Sequence, residues 1–310
     1  KLISKLQIDG HVSENEIQIG NIVKKINNYK DFFAPVISTC PINVSKIKSD
    51  ITECDALKGK ENLVLMKMDY IKHVDLYDYL ENNMFFFKRY FTSFEYLILA
   101  IQKLVENKII HYDMHFGNIV INTSTKLPII FDFGLSIYEP NINIKNLSKN
   151  FFKLAPDFSI WCLEIQLINF FATIQENPIT LMQLKTIVNE YVDNCKAFTI
   201  FTKSFKDNYI ISAISFFEKY IGVKKEEVVK DLLSFYQTWD QYSLCLNYIK
   251  LTKNKDIDIK NEFVNRLFKI LVMNINPNPT KRYSIKQTIE EFNNLKKTKS
   301  IKQYGFGVHN

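Results

Sequence analysis

Apolar residues along the chain change spacing several times, and each change predicts a new element. In residues 12–27, Val12, Ile19, Ile22, Val23 and Ile26 recur at helical spacing with polar residues between them, which predicts one amphipathic helix carrying Glu16. Residues 61–71 form a compact apolar run ending in alternation, the pattern of a largely buried strand. Residues 75–82 read as a short helix. Residues 93–107 read as a longer one, with a wide apolar face from Leu97, Leu99, Ala100, Ile101, Leu104 and Val105. Two short strand-like runs, 119–121 and 128–131, flank the polar turn 122–126. Beyond residue 157 turn signals thin out and helical periodicity dominates. The last helix opens at Ser284 with Gln287 three residues on, a capping-box pattern, and runs towards Leu295. Residues 296–310 are basic and glycine-dotted, a tail expected to fray. No internal repeat is present. The pattern gives an α+β chain whose first 71 residues are mixed and strand-bearing and whose remainder is mostly helical, with one small hairpin.

Composition narrows the class. A chain of 310 residues corresponds to about two domain lengths of ~150 residues. Its 46% hydrophobic and 24% charged residues suit a packed globular protein, and 8 Gly and 8 Pro exclude collagen-like or linker-dominated architectures. Forty Lys+Arg against 33 Asp+Glu leave a net charge of +7, yet the arginines are just Arg89, Arg266 and Arg282. The lysines are scattered, and the densest runs are pairs (Lys24-Lys25, Lys224-Lys225, Lys296-Lys297). Nucleic-acid binding concentrates charge in a stripe, so a solvated surface with no nucleic-acid partner is expected. Cys40, Cys54, Cys162, Cys195 and Cys245 lie far apart with no C-x-x-C pair, which argues against a disulfide framework and a zinc site. No apolar run approaches the ~20 residues that span a bilayer, and no signal-peptide pattern opens the chain. A cytoplasmic protein without a membrane partner is expected. The chain starts at Lys1 rather than Met, so upstream sequence is expected as well.

Candidate chemistry concentrates in Ile109-Ile110-His111-Tyr112-Asp113-Met114-His115-Phe116-Gly117-Asn118 and in Ile130-Phe131-Asp132-Phe133-Gly134. Asp113 follows a helix and an apolar pair, where a rigid scaffold passes into a loop, and Asn118 can return to the same side of that loop. Asp132 ends a buried strand beside Gly134, a residue that permits a sharp turn. Two carboxylates and an amide on loop tips, with no cysteine or histidine cluster, form a hard oxygen set suited to Mg²⁺ held together with a substrate phosphate. Asp and Asn also mark ordinary turns. The whole arrangement, with apolar strands at both loops, favours the ion-binding reading.

At these residues the chain resembles the eukaryotic-type protein kinases, whose signatures are H-R-D-L-x-x-x-N and D-F-G. Here they read His111-Tyr112-Asp113-Met114-His115-Phe116-Gly117-Asn118 and Asp132-Phe133-Gly134. The resemblance implies a bilobal fold: an N-lobe over 1–71 lacking a glycine-rich loop, a helical C-lobe over 72–295 with a helical insertion at 159–238, and the tail 296–310. It implies transfer of the ATP γ-phosphate to Ser or Thr hydroxyls of a protein substrate, with Asp113 as base and Asn118 and Asp132 as Mg ligands. Met68-Asp69-Tyr70-Ile71 followed by Asp75 resembles the family's hinge. In that resemblance the Asp69 carbonyl and Ile71 amide meet adenine, Asp75 reaches the ribose, Met68 guards the pocket behind the base and Val120 lies under it. The resemblance also implies a phosphate lysine paired with Glu16 (or Glu14). Lys1, fifteen residues before Glu16, is favoured over Lys5, eleven before it. No glycine-rich loop exists in this sequence, so it would precede Lys1 or be lacking.

Farther along, Ala155-Pro156-Asp157 resembles the family's A-P-E, and Arg282 within Asn278-Pro279-Thr280-Lys281-Arg282 is expected to pair with Asp157. Trp239-Asp240-Gln241-Tyr242-Ser243-Leu244 resembles the start of the central buried helix, with Asp240 as the acid that holds the catalytic loop. Phe158-Ser159-Ile160-Trp161-Cys162-Leu163 is the rival. Tyr112 replaces an arginine that in many members receives an activation-loop phosphate, which predicts independence from that switch. His115 replaces a lysine, and Gly20 stands where a bulky apolar residue is usual. The pattern as a whole resembles the divergent kinases of large cytoplasmic DNA viruses. Two other readings compete: a small-molecule phosphotransferase of the aminoglycoside or choline kinase kind, which shares H-x-D-x-H-x-x-N, and a non-catalytic kinase-fold binding module.

Overall fold

The structure, a computed structural model, describes residues 1–43, 62–81, 86–151, 153–173, 178–254 and 260–297. Strand β1 (Leu2–Ile8) runs through the two-residue turn Asp9-Gly10 into helix α1 (His11–Val23). Strands β2 (Phe33–Ala34), β3 (Ser38–Asn43), β4 (Asn62–Asp69) and β5 (His73–Asp75) follow, then helices α2 (Leu76–Glu81) and α3 (Phe86–Glu106). Strand β6 (Ile109–Ile110) precedes the hairpin of β7 (Ile119–Asn122) and β8 (Pro128–Phe131), and β9 (Ile137–Tyr138) completes the strands. Seven helices then follow: α4 (Leu163–Thr173), α5 (Leu181–Asn194), α6 (Lys203–Phe217), α7 (Lys225–Leu233), α8 (Trp239–Leu251), α9 (Glu262–Asn274) and α10 (Ile285–Lys296).

Three small sheets organise the first half. The first has the order β1-β4-β3 and is antiparallel throughout, with Lys5 opposite Met66. The second has the order β2-β8-β7-β5, and the third pairs β6 with β9. Because β6 and β7 bracket residues 111–118 while β8 and β9 bracket residues 132–136, sheet pairing lays the two chemistry-bearing loops side by side.

The helices share one large apolar core. Helix α8 is buried from Trp239 to Ile249, and its polar stripe of Asp240, Ser243 and Asn247 is hydrogen-bonded to neighbouring segments. Helix α3 packs against α8 and α10. There Phe94 sits 4.9 Å from both Tyr248 and Phe292, and the Tyr90 hydroxyl donates to the Tyr248 carbonyl at 2.8 Å. Truncating such a side chain, Phe94 to Ala, costs about 3–5 kcal/mol.

Several boundaries differ from the sequence expectation for local reasons. Helix α1 ends at Val23 rather than residue 27, because Ile26 closes a tighter turn onto Val23 and Asn28 then takes a left-handed φ of 57°. Helix α3 begins at Phe86, not 93, since Phe86, Tyr90, Phe91 and Phe94 extend its buried face through an aromatic-rich stretch that hides the period. β1 and β3 were not expected: β1 is mostly exposed, and β3 contains Pro41 and polar residues. At Ser284 the capping box forms, the Gln287 amide donating to Ser284 Oγ at 3.2 Å and the Ser284 amide to Gln287 Oε1 at 2.9 Å. Of the expected tail, residues 298–310 lie outside the described residues. No helix among the described residues is long and apolar enough to cross a membrane.

Candidate active site

The loop after β6 is fastened from below by α8. Asp240, 3% exposed, accepts the His111 amide on Oδ2 at 2.7 Å and the Tyr112 amide on Oδ1 at 2.9 Å. Asn247 Nδ2 donates to the Met114 carbonyl at 3.1 Å. Burial raises the Asp240 carboxyl above the usual value, and His111 together with the two amides offsets part of that rise. Tyr112 adopts a left-handed φ of 69°, a costly conformation for a bulky residue. It is held there from several directions. Trp161 Nε1 donates to its carbonyl at 2.7 Å, Asn169 Nδ2 donates to its hydroxyl at 3.1 Å, and Phe151 packs edge-on against its ring.

This anchoring presents Asp113 and Asn118 together. Asn118 Nδ2 donates to both Asp113 Oδ2 and the Asp113 carbonyl, each at 3.0 Å, so its amide oxygen is left for another ligand. Burial raises the Asp113 carboxyl, but the hydrogen bond and charge of His115, with His111 and Asn118, outweigh it and hold the group below the ordinary carboxylate value. The loop carrying Asp132 is joined to this one. The buried His111 ring contacts the Phe131 carbonyl through Nε2 at 3.1 Å and lies 5.2 Å from Phe133, and Ser136 Oγ donates to the His111 carbonyl at 3.1 Å. Asp132 itself takes the left-handed turn (φ 61°) that the sequence reading assigned to Gly134. Gly134 instead makes room for α1: a Cβ there would lie 3.0 Å from Val12 Cγ1 and 3.6 Å from Glu16 Oε2. Asn15 on the same helix donates to the Gly134 and Ser136 carbonyls at 2.9 and 2.8 Å.

The lysine at this site is Lys5, not Lys1. Lys5 Nζ lies 3.0 Å from Glu16 Oε2 and 3.4 Å from Asp132 Oδ2, whereas Lys1 Nζ lies over the Tyr70 ring, 4.7 Å from its centroid. Chain geometry explains the correction. From Lys5 to the turn the strand advances about 10 Å. From the turn back to Glu16 the helix returns about 8 Å. Eleven residues therefore suffice, and Lys1 stands a further ~13 Å out along β1. Glu16 is 2% exposed while Glu14 faces solvent, which identifies the inward acid. Burial lifts the Glu16 carboxyl above its usual value, with Lys5 opposing.

A second correction concerns Arg282. Its guanidinium forks onto Glu164 at 2.7 and 2.9 Å with both side chains fully buried, and it stacks 4.6 Å from the Tyr242 ring centre. Asp157 is exposed. Residues 155–161 form two successive tight turns, which carry Asp157 outward and bring Glu164 inward on the first turn of α4. Sequence matching stopped at the first acid after Ala-Pro and so missed Glu164. The one available signal was that Glu164 is the sole charged residue of α4.

The remaining expected residues lie on β4, β5 and β7 and between β4 and β5. Val120 is 9% exposed and packs with Ala34 and Ile129, with Ile71 and Phe131 against them. Met68 is half-buried against Val36, Val64 and Met66. The Asp69 carboxylate meets Lys30 at 3.1 Å, and Asp75 is exposed opposite Val120 in the β5–β7 pairing.

Among the described residues no group of three or more His, Cys, Asp or Glu is poised to hold a metal by itself. Mg²⁺ is held by one or two protein carboxylates, with phosphate oxygens completing the shell. Asp132, whose side chain is 40% exposed, and the oxygen of Asn118 are residues of the right chemistry for it.

No curated protein matches the chain. Residues 59–157, which run from ahead of β4 through both loops to Asp157, match the ABC1 atypical kinase-like domain family, so over that span, which holds Asp113, Asn118 and Asp132 but neither Lys5 nor Glu16, the chain is similar to the protein-kinase-like superfamily.

Proposed function

We propose that the chain is an ATP-dependent phosphotransferase that moves the γ-phosphate to Ser or Thr hydroxyls of a protein substrate. The observation that carries this reading is the single ammonium of Lys5 bridging Glu16 and Asp132, next to a loop that pairs Asp113 with Asn118. Asp113 would orient the acceptor hydroxyl and take its proton as the bond to phosphorus forms. Lys5, held by Glu16, would grip the phosphates, and Asn118 and Asp132 would hold Mg²⁺, which neutralises charge on the transferred group. Met68, the Asp69 carbonyl, the Ile71 amide, Asp75 and Val120 would surround the adenosine. In this reading residues 1–71 and 72–295 act as two lobes around the nucleotide, with the helices of 159–238 as an insertion. Asp132-Phe133-Gly134 supports the protein-kinase branch, including its divergent viral-type members.

One feature favours a second reading. His115 in His111-x-Asp113-x-His115-x-x-Asn118, together with the similarity to an atypical kinase-like family, suits a small-molecule phosphotransferase. Incubation with γ-labelled ATP and Mg²⁺ separates the readings. Label on dephosphorylated casein supports the first, and label on small aminoalcohols alone supports the second. Absence of both label and ADP production contradicts any catalytic role.

A further inference from the structure

We propose that His115 is a positioning residue for the Asp113 carboxylate, and that residue 117 is glycine because the His115 ring occupies the space a side chain would need. The proposal rests on the phosphotransferase reading of the same site.

The His115 ring is held at Nδ1 and brings Nε2 close to Asp113. Nδ1 accepts the Gly117 amide at 2.9 Å. A ring nitrogen that accepts carries no proton, so in the neutral imidazole the proton sits on Nε2. Nε2 lies 3.4 Å from Asp113 Oδ2, long for a hydrogen bond but of the kind that shortens when a reacting complex assembles. The two residues thus form a relay of orientation: backbone amide to ring, ring to carboxylate.

Asp113 depends on that relay because its other oxygen has nothing to hold it. Oδ1 is buried with no hydrogen-bond partner, and Oδ2 receives Asn118 Nδ2 at 3.0 Å with His115 Nε2 standing 3.4 Å away. One donor on one oxygen leaves the carboxylate free to turn about its Cβ–Cγ bond, whereas two donors arriving from different residues fix that torsion. Asn118 alone leaves the base poorly aimed, and a base misaimed by a fraction of an ångström loses rate without losing nucleotide binding.

Gly117 fits the same account. Its φ is not left-handed, so the backbone alone does not require glycine. A Cβ there would lie 2.7 Å from His115 Cε1 and 2.9 Å from Nδ1. Alanine at 117 must push the ring aside and so break the contact with Asp113.

The test uses the purified full chain, initial rates of γ-phosphate transfer from Mg·ATP to casein, and a thermal melt for each variant. Asparagine keeps an acceptor in the place of Nδ1 but cannot reach Asp113, while glutamine can reach Asp113 with an N–H donor. His115→Asn is expected to lower kcat about ten-fold with KM for ATP within about two-fold and an unchanged melt, and His115→Gln to recover to within about three-fold of the parent. Gly117→Ala is expected to cost a similar factor in the parent and nothing further in a His115→Ala background. His115→Asn turning over like the parent, or Gly117→Ala costing the same with and without His115, overturns the proposal. Failure of the underlying reading is a separate outcome: the parent and Asp113→Asn then transfer phosphate to casein at the same rate, and the relay falls with that reading.

Discussion

Asp240 and Tyr112 are bound carboxylate to amide at 2.9 Å, and the other oxygen of Asp240 takes the adjoining His111 amide at 2.7 Å across 129 residues of sequence. One side chain of α8 therefore sets two consecutive backbone positions of the loop that presents Asp113. The left-handed conformation of Tyr112, of a kind costing about 1–3 kcal/mol, persists because this support and the Trp161 and Asn169 contacts over-determine it.

Asp240→Asn keeps the shape but turns one acceptor into a donor facing an amide. It is expected to lower stability by about 1–3 kcal/mol in urea denaturation. Turnover should fall more than ATP affinity, since the loop is displaced and the nucleotide-facing strands are not. An Asp240→Asn protein as stable and active as the parent would show that the loop holds its own conformation.

Glu164 and Arg282 form a fully buried pair. Burial works against the guanidinium charge and the Glu164 carboxylate more than offsets it, so removing the carboxylate leaves a buried cation without its counter-charge. Glu164→Gln should cost about 3–5 kcal/mol, and replacing both by apolar residues (Glu164→Leu with Arg282→Met) should recover most of the loss. Asp157→Ala should stay within about 0.5 kcal/mol of the parent, as at an ordinary exposed position. Urea denaturation of the four proteins checks this, and a large loss at Asp157 would reverse the assignment.

At Glu16 burial raises the folded-state carboxyl above 4.5, Lys5 notwithstanding. The folded chain then keeps a proton that the unfolded chain has released just above pH 4.5, so stability from this group is full below that pH and declines as pH rises through the folded value. Glu16→Gln removes this component. The difference in unfolding free energy between parent and variant should shift in the variant's favour as pH rises from below 4.5 towards neutrality, while the variant binds Mg·ATP less well. A difference that is flat with pH, or of opposite slope, would mean that the ion pair with Lys5 outweighs burial.

The loops and the hairpin were readable because their chemistry is local: Asp113, Asn118 and Asp132 lie within twenty residues, bounded by apolar strands whose pairing has one sensible register. Asp240 was readable for a different reason, through the resemblance of Trp239-Asp240-Gln241-Tyr242-Ser243-Leu244 to the start of a kinase central helix. Lys5 ranked behind Lys1 because counting residues ignores how strand and helix rise differ, so eleven residues through a two-residue turn close a contact that fifteen do not. Glu164 was missed because two tight turns after Ala155 rotate the nearer acid to the surface. His115 and Gly117 were visible as residues, but their coupling exists only in side-chain geometry.

The most direct test of the account is γ-phosphate transfer from Mg·ATP by the parent and by Asp113→Asn, with nucleotide affinity measured on both. The account predicts a rate lower by about 10²–10⁴ in the variant, with affinity within a few-fold, because the carboxylate acts on the acceptor hydroxyl and not on the nucleotide. Equal rates in the two proteins would contradict it.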